Sequence, residues 1–186
     1  MISIAPTGMG KTTRYAPVAV FLHWALTILF FGMIGLGWYM MSIEDEPGSN
    51  RYFDLHKSIG ILVAGLVLWR AAWRFGHQPA ALPVNVPPRL ASAARASHGL
   101  LYVAMVLMPL AGIVGAMFSE NGITFFGWTM PRVFAPNQDT AEIFFHAHSV
   151  IAWVLVGLIA LHVLAALKHL VIDKDDVFQR MWFRQR

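Results

Sequence analysis

The sequence predicts an all-α integral membrane protein, a bundle of four transmembrane helices. Its 186 residues are 57% hydrophobic and only 13% charged, and the mean hydropathy is +0.56. Soluble domains average about 45–50% apolar and about 25% charged residues. Four apolar stretches are each long enough for the roughly 20 helical residues that cross a bilayer. They are continuous, without the alternation of barrel strands, so they predict helices.

The four predicted spans form a single membrane domain, residues 17–172. The preceding segment, 1–16, is predicted to be a basic cytoplasmic tail, and 173–186 a cytoplasmic C-terminal tail. The spans run from Pro17 to Met41, Phe53 to Trp73, Ala96 to Phe118 and Ile143 to Ile172. The proline-rich stretch from Pro79 to Pro88 is predicted to be a cytoplasmic loop, and that from Gly122 to Asn137 an outer loop.

The distribution of Lys and Arg predicts the orientation, because cytoplasmic loops are enriched in these residues. Only three of the 14 basic residues, Arg51, Lys57 and Arg132, lie on the side away from the termini. The other 11 flank the opposite ends of the spans. Both termini are therefore predicted to be cytoplasmic.

Composition also excludes several classes of protein. The chain has no cysteine, which excludes disulfides, iron–sulfur clusters and covalently attached c-type haem. A pI near 9.8 does not indicate nucleic-acid binding, because the charges cluster at the ends of apolar runs.

The segment from Ala5 to Thr12 matches a relaxed phosphate-binding loop. It lacks the preceding strand that such a loop needs, so we interpret it as part of the basic tail.

The eight histidines are the most informative residues, since ionisable side chains inside spans are rare and each is a functional hypothesis. In the fourth span, His148 and His162 are 14 residues apart. They therefore lie within about 40° of each other on one helix face, roughly 21 Å apart along the axis. His146 lies about 160° from His162. His148 is thus predicted to face the bundle interior, and His146 is not.

Each of these two imidazoles has a predicted partner at matching depth on another helix. His56 begins the second span on the outer side, level with His148, and His23 lies on the cytoplasmic side, level with His162. Zinc or copper is an alternative use of histidine, but no carboxylate or thiol lies at these depths. Facing imidazoles suit the two axial positions of a haem iron.

Glycines and arginines in the spans add weaker support. Glycines allow a flat ring to approach the backbone, but they also serve ordinary helix packing; they are Gly32, Gly35, Gly60, Gly65, Gly112 and Gly115. Arg70 follows His56 by 14 residues and shares its face, with Arg74 one turn further. Each arginine either pairs with haem propionates or anchors the helix in lipid headgroups.

Several short motifs occur in an order and spacing that resemble one family. They are His23-Trp24, His56 to Gly60 followed by Arg70 and Arg74, Ser97-His98-Gly99, Met108 to Gly112, Phe126 to Pro131, and His148-Ser149 followed by His162. Together they resemble the prokaryotic cytochrome b561 family, whose members are four-helix proteins of the bacterial inner membrane with two haem b groups. The resemblance extends from about Tyr15 to Arg180.

The resemblance implies an outer haem held by His56 and His148 and an inner haem held by His23 and His162. His98 opens the third span near the inner haem, and either replaces His23 as a ligand, contacts a propionate or binds quinone. His169 either contacts an inner-side quinone or is an interfacial side chain.

The function that the resemblance implies is one-electron transfer across the inner membrane to or from ubiquinone. Its most specific form is oxidation of superoxide to dioxygen coupled to ubiquinone reduction, with Arg51, Lys57 and Arg132 as candidates for attracting the anion. The outer side carries seven acidic residues against these three, which argues against strong steering. One alternative is a cytochrome b subunit that relays electrons between quinone and a periplasmic hydrogenase or dehydrogenase. Another is a haem-free transporter whose histidine pairs carry protons.

Overall fold

The computed structural model describes residues 15–77, 87–175 and 177–182. It contains four long helices: α1, Pro17–Ser42; α2, Asn50–Gly76; α3, Pro88–Phe118; and α4, Gln138–Lys168. All four are long and apolar enough to cross a membrane. The predicted four-helix membrane bundle is therefore confirmed. The segment from Ala5 to Thr12 and nearly all of the predicted cytoplasmic loop lie outside the described residues.

The helices begin where local chemistry favours a start: α1 at the predicted residue, and the other three several residues before their apolar stretches. Pro17 and Pro88 occupy the first turns of α1 and α3, where a missing N–H costs nothing. Asn137 caps α4, because its side-chain oxygen accepts a hydrogen bond from the Thr140 N–H at 2.9 Å. Helix α3 starts eight residues before the predicted boundary at Ala96. The extra residues include Arg89 and Arg95, which lower the hydropathy but are good helix formers.

The packing of the helices leaves α4 apart from half of the bundle. Helix α4 packs closely against α3, α3 against α2, and α2 against α1. Among the described residues, the α4 backbone makes at most sparse close approaches to α1 and α2. The core residues all come from the four helices: Leu26, Phe30, Met33, Val63, Val67, Leu101, Ala104 and Leu155. The backbone of α4 is therefore set apart from those of α1 and α2, and the side chains of this core meet across the separation, which is called here the gap.

Glycine explains how α3 and α4 come so close together. A Cβ atom on Gly115 would lie 2.7 Å from the ring of Phe145, far inside van der Waals contact. The ring thus packs directly on the α3 backbone, as small residues permit between membrane helices.

The connection between α3 and α4 contains a short β-hairpin, which was not among the elements predicted from the sequence. Strands β1, Thr124–Phe125, and β2, Trp128–Thr129, pair antiparallel. Phe126 and Gly127 both have positive φ, 47° and 86°, as a two-residue type I′ turn requires. The N–H of Phe126 donates to the buried Oγ of Ser58 at 2.9 Å. The hairpin is therefore fastened to α2.

The two ends of the bundle differ in the elements that they carry. The hairpin end holds the β-hairpin and the start of α2, and the termini end holds the start of α1 and the end of α4. At the termini end, α4 is followed by a five-residue π-helical turn, His169–Asp173, and then by a short 3-10 helix, Gln179–Met181.

Candidate haem-binding sites

At the hairpin end, His56 on α2 faces His148 on α4 across the gap. Their ring centres are 6.1 Å apart and their planes are inclined by 78°. Bonds from imidazole nitrogen to a metal are about 2 Å long and the ring centre lies roughly 1 Å further back, so imidazoles on opposite sides of one ion have centres about 6 Å apart. The observed separation matches that distance.

His148 is held in one orientation by α3. Its Nδ1 lies 2.8 Å from the backbone oxygen of Met108, so Nδ1–H donates and Nε2 keeps its lone pair for a metal. A Cβ on Gly112 would lie 2.9 Å from this same Nδ1. Only glycine at position 112 leaves room for the ring, so Gly112 forms the wall behind the imidazole.

His56 has a buried ring nitrogen that lacks a hydrogen-bond partner within the described part of the chain. Its Nδ1 is buried and has no hydrogen-bond partner in the parts of the chain that the structure describes. Buried polar atoms are normally satisfied, so this nitrogen calls for a partner that is not part of the chain, such as a water molecule, an ion or a ligand. Its Cε1 also lies 3.6 Å from where a Cβ of Gly37 would stand. The separation of the two rings thus fits a pair that would hold one metal ion between them, as binding of haem iron would require.

At the termini end, His162 has two imidazole neighbours. The ring centre of His23 is 6.2 Å away, with planes inclined by 75°, and that of His98 is 5.4 Å away. His98 belongs to α3, which packs directly on α4. His98 and His162 therefore lie on the same side of the gap. His23 belongs to α1 and faces His162 across the gap. This arrangement favours His23 over His98 as the residue opposite His162.

A positively charged cluster lies beside these three histidines. Arg70 donates from Nη1 to the backbone oxygen of Ala19 at 2.8 Å, which links α2 to α1. The guanidinium groups of Arg70 and Arg74 lie 6.0 and 5.2 Å from the ring centre of Tyr102. Both arginines therefore turn towards α3 at the termini end, where carboxylates of a bound group would be stabilised.

The remaining histidines lie away from the two pairs. His146 is exposed, on the side of α4 opposite His162, and His77 stacks on Trp73 with ring centres 4.0 Å apart. His169 contacts Asp175, with Nδ1 2.7 Å from Oδ2.

A metal ion has one further candidate site among the described residues. Ligand atoms of His169, Asp173 and Asp175 lie within 4.8 Å of one another. Lys168 donates to Asp173 at 2.7 Å and so supplies the positive charge locally. We therefore interpret this cluster as ion pairing at the end of a helix, and not as a metal site.

The three basic residues of the hairpin end all have local partners. Lys57 lies 2.8 Å from the Asp54 carboxylate and donates to the backbone oxygen of Gly122. Arg51 donates to the hydroxyl of Tyr52. Arg132 donates to the backbone oxygens at Ser119 and Glu120. Arg51 and Arg132 remain exposed, whereas the charge of Lys57 is neutralised by its carboxylate partner.

Facing imidazole pairs inside a four-helix membrane bundle define the chain as a candidate membrane cytochrome. The family model of prokaryotic cytochrome b561 matches residues 14–184. The chain belongs to this family, and membership implies that it is a multi-pass membrane cytochrome that binds haem b.

Individual relatives are similar over nearly their whole length. Cytochrome b561 homolog 2 of Escherichia coli K12 is 34% identical over 171 residues, which cover 90% of each chain. Cytochrome b561 homolog 1 of the same organism is 27% identical over 183 residues, 93% of this chain and 99% of the relative. A protein of Yersinia pestis named probable superoxide oxidase CybB is 25% identical over 178 residues, 93% of this chain and 98% of the relative.

Proposed function

We propose that this protein is a two-haem cytochrome b of the bacterial inner membrane that passes single electrons between the outer surface and ubiquinone. Its termini lie in the cytoplasm, so the hairpin end faces outwards. His56 and His148 hold the outer haem, and His23 and His162 hold the inner one. The observation that carries the proposal is the presence of two facing imidazole pairs at opposite ends of one gap.

The protein groups have separate roles in this proposal. The hydrogen bond to Met108 and the wall at Gly112 fix the tautomer and plane of His148. Arg70 and Arg74 would provide positive charge for the propionates of the inner haem, and His98, which lies at the same end of the bundle, would contact one of them. A haem held by two of these imidazoles would supply reversible one-electron transfer and would leave no metal position free for oxygen.

Superoxide is the proposed electron donor at the outer surface, by analogy with the name of the Yersinia pestis relative. Two superoxide ions each lose one electron and become dioxygen, and one ubiquinone takes both electrons with two protons to become ubiquinol. The exposed guanidinium groups of Arg51 and Arg132 are the positive charges left to attract the anion, since Lys57 is paired with Asp54.

A second candidate donor is a periplasmic redox enzyme, and the surface of the hairpin end favours it. Phe126 and Trp128 at the hairpin are 59% and 60% exposed. The loop between α1 and α2 exposes three carboxylates in a row, Glu44, Asp45 and Glu46. An apolar tip and an acidic loop at the same end of the bundle suit protein docking better than attraction of an anion.

The test is superoxide-dependent reduction of ubiquinone-1 by the purified protein. Superoxide is generated by xanthine oxidase, and ubiquinol is measured with and without superoxide dismutase. We expect ubiquinol formation that the dismutase abolishes and that is lost in a His148→Ala variant. Haems that dithionite reduces but superoxide does not would reject superoxide as the donor and favour the periplasmic enzyme.

A further inference from the structure

The chain beyond α4 returns to the start of α1. The indole Nε1–H of Trp24 donates to the backbone oxygen of Met181 at 2.7 Å. The ring of Trp182 meets Trp24 edge to face, with centres 5.5 Å apart, and Phe178 lies 5.7 Å from Trp182. Residues 177–182, called here the return segment, therefore pack on one side chain of α1.

Local polar contacts set the course of the return segment. Lys174 has a left-handed backbone, with φ 49°, which turns the chain away from the helix axis. Asp175 then accepts a hydrogen bond from the Val177 N–H at 3.0 Å and contacts His169 through its other oxygen. Partial burial raises the pKa of Asp175, but these two interactions outweigh it and hold the pKa below its usual value. The carboxylate is therefore ionised at neutral pH, and both contacts are kept.

Trp24 connects the return segment to the imidazole beside it. The rings of Trp24 and His23 meet at an angle of 65°, with centres 5.5 Å apart. His23 in turn faces His162 at 6.2 Å. A continuous series of contacts thus runs from the Met181 carbonyl through the indole of Trp24 to the imidazole of His23.

We infer that Trp24 is a positioning residue, through which the return segment fixes the plane of the His23 imidazole. The inference rests on the proposed function, in which His23 is a ligand of the inner haem. The indole is held by the Met181 carbonyl and the Trp182 ring, and it meets the ring of His23, so it limits rotation of that imidazole. Partners of this kind orient ligating imidazoles and tune the metal that they bind.

The decisive variant is Trp24→Phe, which keeps an aromatic ring and removes the N–H donor. Trp38→Phe is the matched control: Trp38 also lies on α1, but its ring packs on Trp153 with centres 5.9 Å apart. The readout is the electron paramagnetic resonance spectrum of the ferric protein, because the g values of low-spin haem depend on the angle between its two axial imidazoles. A redox titration provides the second readout.

For Trp24→Phe we expect both haems to remain bound, one of the two low-spin signals to move and one of the two midpoint potentials to shift. A three- to tenfold change in that reduction equilibrium corresponds to about 30–60 mV for one electron. Trp38→Phe leaves that signal unchanged. Trp182→Ala, which removes the ring against Trp24 and leaves the backbone acceptor, moves the same signal.

Unchanged spectra and potentials in both Trp24→Phe and Trp182→Ala would overturn the inference, as would equal shifts of both haems. If Trp24→Phe does not assemble, Trp182→Ala alone decides by the same criteria. The haem content of a His23→Ala variant shows whether a negative result concerns only the role of Trp24 or the proposed function itself. Two haems retained in His23→Ala would reject His23 as a ligand, whereas loss of one haem with unmoved Trp24→Phe spectra would reject only the role of Trp24.

Discussion

Replacing His148 with alanine is expected to remove one of two haems. The substitution deletes one imidazole of the hairpin-end pair, and His56 alone leaves the iron with one protein ligand. His146→Ala is the matched control, because this histidine lies two residues earlier on the same helix and is exposed. The measurement is haem per chain in the purified protein, together with the α band after reduction.

We expect the haem content of His148→Ala to fall from two per chain to one, and that of His146→Ala to stay at two. The inner haem signal should persist in both variants, because His162 lies about 21 Å away along α4. Loss of haem in His146→Ala with full retention in His148→Ala would show that the helix faces are misassigned.

Replacing Gly112 with alanine is expected to disturb the same haem without replacing a ligand. The new Cβ would lie 2.9 Å from Nδ1 of His148, so the imidazole must move and its hydrogen bond to the Met108 oxygen must break. Gly65→Ala is the control, because a Cβ at that position meets nothing within 4 Å. Haem content and the reduced spectrum are measured for both variants.

The expected result for Gly112→Ala is loss, or high-spin conversion, of the haem at the hairpin end, with the other haem intact. Gly65→Ala should match the wild type, although both substitutions replace a membrane-helix glycine. Wild-type spectra for Gly112→Ala would mean that His148 binds no metal in the orientation described here.

The parts of the structure that the sequence predicted are those set by periodicity and hydropathy. Both depend only on neighbouring residues, so the four spans follow directly. The shared face of His148 and His162 follows from the geometry of one straight helix. The antiparallel order of short-looped helices then brings His56 and His23 to matching depths.

The features that the sequence did not predict depend on contacts between distant residues. The hairpin depends on the bond from Phe126 to Ser58, 68 residues away. The return segment depends on the bond between Trp24 and Met181, 157 residues apart. Gly112 was among the glycines noted in the predicted spans. Its contact with His148 could be predicted only by knowing which faces of α3 and α4 meet. The predicted boundaries of α2 and α3 were too short, because hydropathy detects the part of a helix in lipid and not its polar extension.

The proposed function requires that two haems lie between opposing imidazoles at the two ends of the bundle. A pyridine haemochrome assay on the purified wild type and on the His148→Ala/His162→Ala double variant tests it most directly. We expect two haem b per chain in the wild type and none in the double variant. A colourless wild type, or a double variant that keeps its full haem content while correctly folded, would contradict it.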